Sequence, residues 1–454
     1  MMARNSSVEH NHLDLESEET RFKTGIMFNL QPNEHWDYGV IDAIRGLRVA
    51  LSSRCSGEQR DIGISGLGRC RPVRSGRAAI FLALKALALP PRASIGVPLY
   101  CCPVVFKAIT AAGYRARFID VDPDTYCLSA ADLAAKSSEV DAVIAVHMFG
   151  NVCDVPVLQS AAPGKPFIED CAQALGSRLN NRLAGSFGEI AAFSFRSGKY
   201  LSVGEGGAVY CGDSNLEPQL SELINTLSVP SRVDECVHVA TTYLRSRLRT
   251  RPLWGLIGTR LWDAYNATVS YTSQSPLVVG QVYEADRDLT LRRLPLLDSW
   301  IGKQRSNARY YDQNLRVDAE MICSETPGAF FNRLQYPLLL PTSGQCDQLV
   351  GRLKASQIST ARPYKDIASI AATHYGYTGD CPQAERIART VLVIPCNYAI
   401  KAADVERIAT CVNSAWAEVS GRRGGIGAGS VHNSAPAPKH GQNLGSVVET
   451  HHSS

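Results

Sequence analysis

The residues best placed to do chemistry lie between 166 and 211, in PFIEDCAQALGSRLNNRLAGSFGEIAAFSFRSGKYLSVGEGGAVYC. Asp170 ends a short apolar run, as an acidic residue does at the mouth of a buried strand. Lys199 follows a second apolar run, IAAFSF, in a turn beside Gly198. A Gly-rich stretch, Gly204-Glu205-Gly206-Gly207, comes next. A lysine at a strand end in a partly buried place loses charge readily and becomes a nucleophile toward carbonyls. A carboxylate in a low-dielectric site can pair with a protonated ring nitrogen. Upstream, Ser75-Gly76-Arg77 opens a helix, so free N–H groups and the helix dipole there favour an anion. Each piece has an ordinary reading. Ser75 could simply cap its helix, Asp170 could be another cap, and Lys199 could be a solvated loop lysine. Together they are the parts of a pyridoxal-phosphate site.

These groups need a frame that brings strand ends together. Between about 70 and 215, apolar runs alternate with amphipathic stretches. The runs are SIGVP, RARFIDV, DAVIAVHMFG, PFIED, IAAFSF and GGAVYC; GRAAIFLALKALAL after Ser75 reads as a helix. That alternation predicts an α/β fold with a mainly parallel sheet covered on both faces, and catalytic groups at the carboxyl ends of its strands. A second α/β pattern follows at about 333–415: LQYPLLL and RTVLVIP as strands, DQLVGRLKASQI and AADVERIATCVNSAW as helices.

The ordered set SGRAA, IEDCAQALGS, GSFGEIAAFSF, a lysine and GEGGAV resembles the DegT/StrS-type sugar aminotransferases. The likeness extends over about 70–415, through VPLYCCPVVFKAITAAGYRARFIDVDPDTYCLS, AVHMFG, LRRLPLLDSWIGKQRSNARYYDQNL and CPQAERIARTVLVIPCNYAI. It implies a fold type I pyridoxal-phosphate enzyme, with a large domain built on a seven-stranded-type sheet and a smaller C-terminal α/β domain. It implies that Lys199 forms the Schiff base with pyridoxal 5'-phosphate and then moves protons. By the same likeness Asp170 pairs with the pyridine nitrogen and Gln173 meets the ring hydroxyl. Ser194 and the backbone of Gly76 and Arg77 hold the phosphate. Arg77 stands where the family usually has threonine, and Cys102 where it often places an aromatic over the ring. The turn reads RSGK rather than a His-Pro-Thr-Lys type, and the usual Trp-Leu-Thr-x-Gly-Pro type signal is missing near the N-terminus.

The expected activity is transfer of an amino group, from glutamate, to a keto sugar linked to a nucleotide. The expected partners are thus a small amino donor and a keto acceptor, with a second copy of the chain completing a homodimer. Two other readings stay open: another transaminase or lyase reaction on a non-sugar substrate, and a non-catalytic regulatory protein that binds the cofactor. The expected divisions are a disordered tail at 1–25, a large domain at 26–290 with a helical insertion at about 214–290, a small domain at 291–419, and a disordered tail at 420–454.

Composition narrows the field. Hydrophobic residues make up 45% of the 454, which excludes wholesale disorder or fibrous structure. Lys plus Arg is 47 and Asp plus Glu is 43, a balance that does not point to nucleic acid. Fourteen cysteines without a CxxC pair, and no secretory signal, suggest free thiols in a reducing cytoplasm; no metal site is expected. No apolar run approaches the ~20 residues needed to span a bilayer. Two thiols, Cys102 and Cys171, are expected against the cofactor. His147 reads equally as a cofactor contact or a satisfied strand-end histidine. Arg245, Arg247, Arg249, Arg251 and Arg260, with Trp254 and Trp262, form a local basic cluster. It reads first as a solvated amphipathic helix packed on the subunit, and second as a surface for phosphates, a partner or an anionic membrane.

Overall fold

The computed structural model describes residues 29–52, 61–268 and 277–421; the expected tail at 1–25 and all but the first two residues of the one at 420–454 lie outside these residues. One sheet of eight strands forms the centre. Its strands are β1 (Ile62–Ile64), β2 (Gly68–Val73), β3 (Ser94–Pro98), β4 (Arg115–Ile119), β5 (Ala142–Val146), β6 (Phe167–Asp170), β7 (Ile190–Ser194) and β8 (Gly207–Cys211), in the spatial order β1-β2-β8-β7-β6-β5-β3-β4. Strands β7, β6, β5, β3 and β4 run parallel. The other three pair antiparallel. The sheet therefore holds the expected seven strands plus a three-residue edge strand, β1. The edge pair was not expected because GRCRPV shows neither alternation nor an apolar run.

The inner strands are largely buried because helices cover both faces. Every residue of β5 (AVIAV) is buried. Helix α1 spans Val40–Ser52, α2 Gly76–Ala86 and α3 Pro103–Ala111. α2 begins where Ser75 Oγ accepts the Ala78 N–H, and it buries Ala78, Ala79, Leu82 and Ala83 against the sheet. Among the described residues after β8 come the helices α4 (Glu217–Asn225), α5 (Arg232–Leu248), α6 (Thr259–Thr268) and α7 (Glu284–Arg293). Ser231 and Asp234 form a capping box that fixes the start of α5.

A separate core lies toward the C-terminus. The strands β9 (Tyr336–Leu339) and β10 (Val391–Ile394) pair antiparallel. Helices α8 (Ser343–Ala355) and α9 (Ala402–Val419) pack around them on Leu349, Ile408 and Trp416. The segment at 29–31, on the large-domain side of the expected boundary, pairs with this C-terminal unit: Gln31 N–H donates to Gln357 O and Ser359 N–H to Gln31 O. From there the chain runs back past Lys199.

Candidate active site

The parallel strands end on one side of the sheet, and their carboxyl ends open a cleft there. It is lined by Ser75, Gly76, Arg77, Cys102, Asp170, Gln173, Ser194 and Lys199. About 780 Å³ of it is free of protein atoms, part of this open to solvent. Val146, Arg196, Glu205 and Tyr364 also face it and were not foreseen. Tyr364 comes from the C-terminal half, about 165 residues beyond Lys199, where no local pattern ties it to the site.

One end of the cleft is the start of α2. The N–H groups of its first turn have no partner within the helix. Ser194 stands over this turn: a Cβ on Gly76 would lie 2.8 Å from Ser194 Cβ and 3.2 Å from its Oγ. The Gly-rich run passes behind it. Ser75 pairs with Gly206, and a Cβ on Gly207 would come within 2.6 Å of Gly76 N. Only glycine lets the two backbones meet so closely.

Asp170 ends β6, with Oδ1 accepting the Ala172 N–H at 3.0 Å. Burial pushes its carboxyl above the usual range, against the Ala172 N–H, Lys199 and His147. Lys199 sits in the turn after β7, held by its N–H to Arg196 O. Burial and then the Arg196 guanidinium push its ammonium down from 10.5 to about 8, while Glu34, Cys102 and Asp170 oppose them. Gln173 Nε2 points to Met148 Sδ at 3.6 Å, and its Oε1 is buried without a partner. An orphaned buried polar atom costs about 1–3 kcal/mol, so it marks a place where a ligand group belongs.

One expectation changes, and one left open is decided. Cys171 does not reach the cleft. Strand alternation turns it to the other face, where it packs with Cys70 and Ala191, and burial holds its thiol well above its ordinary value. Cys102 is then the one predicted thiol in the cleft wall. His147 is fully buried: Nε2 meets Glu169 Oε2 at 2.9 Å, and Nδ1 accepts the Cys153 N–H. Glu169 also accepts the N–H groups of Gly185, Phe187 and Gly188. His147, Glu169 and Cys171 come close enough to share an ion, but the nitrogens and oxygens are already engaged in this bracing beneath Asp170. Tyr100 donates to Pro363 O and packs edge-on against Tyr364, outside the cleft.

The basic cluster divides. Arg245, Arg247, Arg251 and Arg260 are exposed, while Arg249 is buried. Among the described residues no helix is long and apolar enough to cross a membrane.

Known proteins share this arrangement. The sequence profile of the DegT/DnrJ/EryC1/StrS aminotransferase family matches residues 65–243 and 282–413. A UDP-N-acetyl-3-dehydro-α-D-glucosamine 3-aminotransferase of Acidithiobacillus ferrooxidans is 28% identical over 363 residues, 77% of this chain and 85% of the relative. An L-glutamine:2-deoxy-scyllo-inosose aminotransferase of Micromonospora echinospora is 37% identical over 162 residues, 35% of this chain and 38% of the relative. The protein Spr1654 of Streptococcus pneumoniae, solved in its PLP form, superposes with a TM-score of 0.65 at 17% identity, over 86% of this chain and 99% of that one. That last likeness establishes the fold, a fold type I α/β architecture. The profile match takes in both the helix that starts at Gly76 and the turn that carries Lys199, and the chain belongs to the DegT/DnrJ/EryC1/StrS aminotransferase family.

Proposed function

We propose that the cleft binds pyridoxal 5'-phosphate and moves an amino group from a carboxylate-bearing donor, glutamate or glutamine, to the keto group of a sugar, with nucleotide-linked sugars the first class to test. The observation that carries this reading is one cleft that joins a lysine of lowered pKa, a buried aspartate and an open helix start. The donor set fits the cofactor: N–H groups at Gly76 and Arg77 and the Ser194 hydroxyl suit a phosphate, Asp170 a protonated ring nitrogen, and the orphaned Gln173 Oε1 a ring hydroxyl. When bound, the cofactor supplies a carbonyl that can hold an amino group and a ring that withdraws electrons. The chain does the rest. Lys199, which releases its proton far more readily than an ordinary lysine, acts as nucleophile and carries a proton to and from the substrate carbon. Asp170 keeps a proton on its partner nitrogen. The Gly-rich run keeps water from the back of the helix start. Tyr364 offers an aromatic face where Cys102 has none.

The relatives named above act on a UDP-sugar and on a cyclitol ketone, and both supports point to a keto carbohydrate. A homodimer is part of the reading. The experiment is spectroscopic. The purified protein should show a cofactor absorbance band that glutamate or glutamine bleaches and a keto sugar restores. Absence of the band, or its persistence in Lys199→Ala, would overturn the proposal.

A further inference from the structure

Between the two matched ranges lies a segment, 244–281, that the family profile does not cover; nor does it cover residues before 65. Both uncovered parts meet at Arg249. Its guanidinium Cζ lies 4.7 Å from the ring centre of Trp36, 4.5 Å from that of Trp254 and 4.1 Å from that of Trp262. Arg249 is 8% exposed. Among the described residues the carboxylate beside it is that of Glu34, whose Oε2 is 3.5 Å from Nη1, too far for a good charge-assisted hydrogen bond. Arg249 Nη2 has no hydrogen-bond partner, and neither has the indole nitrogen of Trp36 or of Trp254. Two indole N–H groups and the guanidinium's own Nη2 thus share one cage and are left unfilled. Unfilled donors of this kind cost stability and are retained where a ligand completes them.

The cage adjoins the reactive lysine. A Cβ on Gly198 would lie 2.7 Å from Glu34 Oε2 and 3.4 Å from Trp36 Nε1. Asn33 and Glu34 line a second cleft together with Gly198 and Lys199, so Lys199 belongs to both clefts. Asn33 Oδ1 is buried there without a partner too. Arg196, in the same turn as Lys199, is the other cation near by, and its field reaches both Lys199 and Arg249.

The chemistry selects the ligand. Every unfilled donor at the cage is an N–H, so the ligand is an anion. Glu34 already places a carboxylate there, and flat rings beside the guanidinium leave an edge that suits a planar carboxylate. The Glu34 side chain is 28% exposed and free to turn to solvent. Exchange of one carboxylate for another leaves Arg249 neutralised throughout. We propose that Arg249, with the indole N–H groups of Trp36 and Trp254, receives the carboxylate of the amino donor, and that Glu34 holds that place until the donor displaces it. The inference rests on the aminotransferase reading of the Lys199 site.

The test uses the cofactor-loaded protein. Glutarate, a dicarboxylate with no amine, is titrated while tryptophan fluorescence is followed, since three of the chain's five tryptophans form the cage. The wild type should give a saturable change. Arg249→Gln should weaken it by about tenfold or more, the usual scale for removing one partner of a buried charge pair. Glu34→Gln should tighten it several-fold, because the competing carboxylate is gone. In turnover, Arg249→Gln and Arg249→Lys should raise KM for the donor by about tenfold and leave KM for the keto acceptor alone. A rise for glutamate and glutamine alike assigns the α-carboxylate; a rise for glutamate alone assigns the side-chain carboxylate. Unchanged donor KM in both Arg249 variants, or Glu34→Gln weakening glutarate, overturns the proposal. Should Arg249→Gln fail to fold, Arg249→Lys and Glu34→Gln decide it by the same readouts. Failure of the aminotransferase reading shows separately: no donor converts the cofactor, whatever glutarate does to the fluorescence.

Discussion

The lowered pKa of Lys199 has a measurable consequence. At about pH 7.5 an amine of pKa about 8 is roughly one-quarter neutral, against roughly one part in a thousand for an ordinary lysine at 10.5. The free nucleophile is thus enriched by roughly two hundredfold. The whole displacement is worth about 3 kcal/mol, with burial the largest cause and Arg196 the next, against Glu34, Cys102 and Asp170. Removing the guanidinium in Arg196→Gln should then raise the lysine by up to about one unit. At about pH 7.5 that removes most of the neutral amine, a fall of several-fold. The assay is the rate at which cofactor-free protein captures a carbonyl, followed by stopped-flow absorbance from about pH 6.5 to about pH 9.5. Unphosphorylated pyridoxal is the probe, because Arg196 lines the cleft and would attract a phosphate on its own account. The rate should rise with pH and level off through an inflection near 8, and Arg196→Gln should move the inflection upward. An inflection near 10.5, or one near 8 that Arg196→Gln leaves in place, would refute the reasoning.

Two further outcomes follow from geometry. Gly76→Ala should drive its new methyl into Ser194, cost about 1–3 kcal/mol in a thermal melt, and weaken pyridoxal-phosphate binding; unchanged binding would show that the helix start is not the phosphate cradle. Burial alone would raise the Glu169 carboxyl, but His147 and the N–H groups of Gly188 and Gly185 outweigh it and hold the pKa below 4.5. A depressed carboxyl stabilises the fold above its ordinary pKa and loses that contribution as pH falls through the folded value. Glu169→Gln should therefore be less stable by about 3–5 kcal/mol near neutral pH, with the gap narrowing in acid; an equal gap in denaturant melts at both ends would contradict this.

The part of the site legible in the sequence is the part written in contiguous strand ends. Asp170 closes FIED, Lys199 follows IAAFSF, and Ser75-Gly76 opens a helix, so each announces its place through its neighbours. Cys171 misled because adjacency in a motif is not adjacency in space: on a strand, neighbours face opposite ways. Tyr364 reaches the Lys199 cleft, and Arg249 reaches Trp36 and Glu34, only through tertiary packing, and no spacing encodes that. The basic cluster reads as a solvated helix for its exposed arginines, yet position 249 falls just past the end of α5, where the helical face no longer governs which way a side chain turns.

The pairing of Ser75 with Gly206 joins residues about 130 positions apart, and it rides on the contact of β2 with β8. Closing so long a loop is an entropic cost met only when the strands between have found their order. The helix start exists early as local structure, but the wall behind it is among the last pieces set in place. During synthesis the cradle cannot form until the ribosome has released β8. A ligand that takes this cradle would therefore meet a finished sheet, and its binding energy would hold the native state in place rather than guide the search for it.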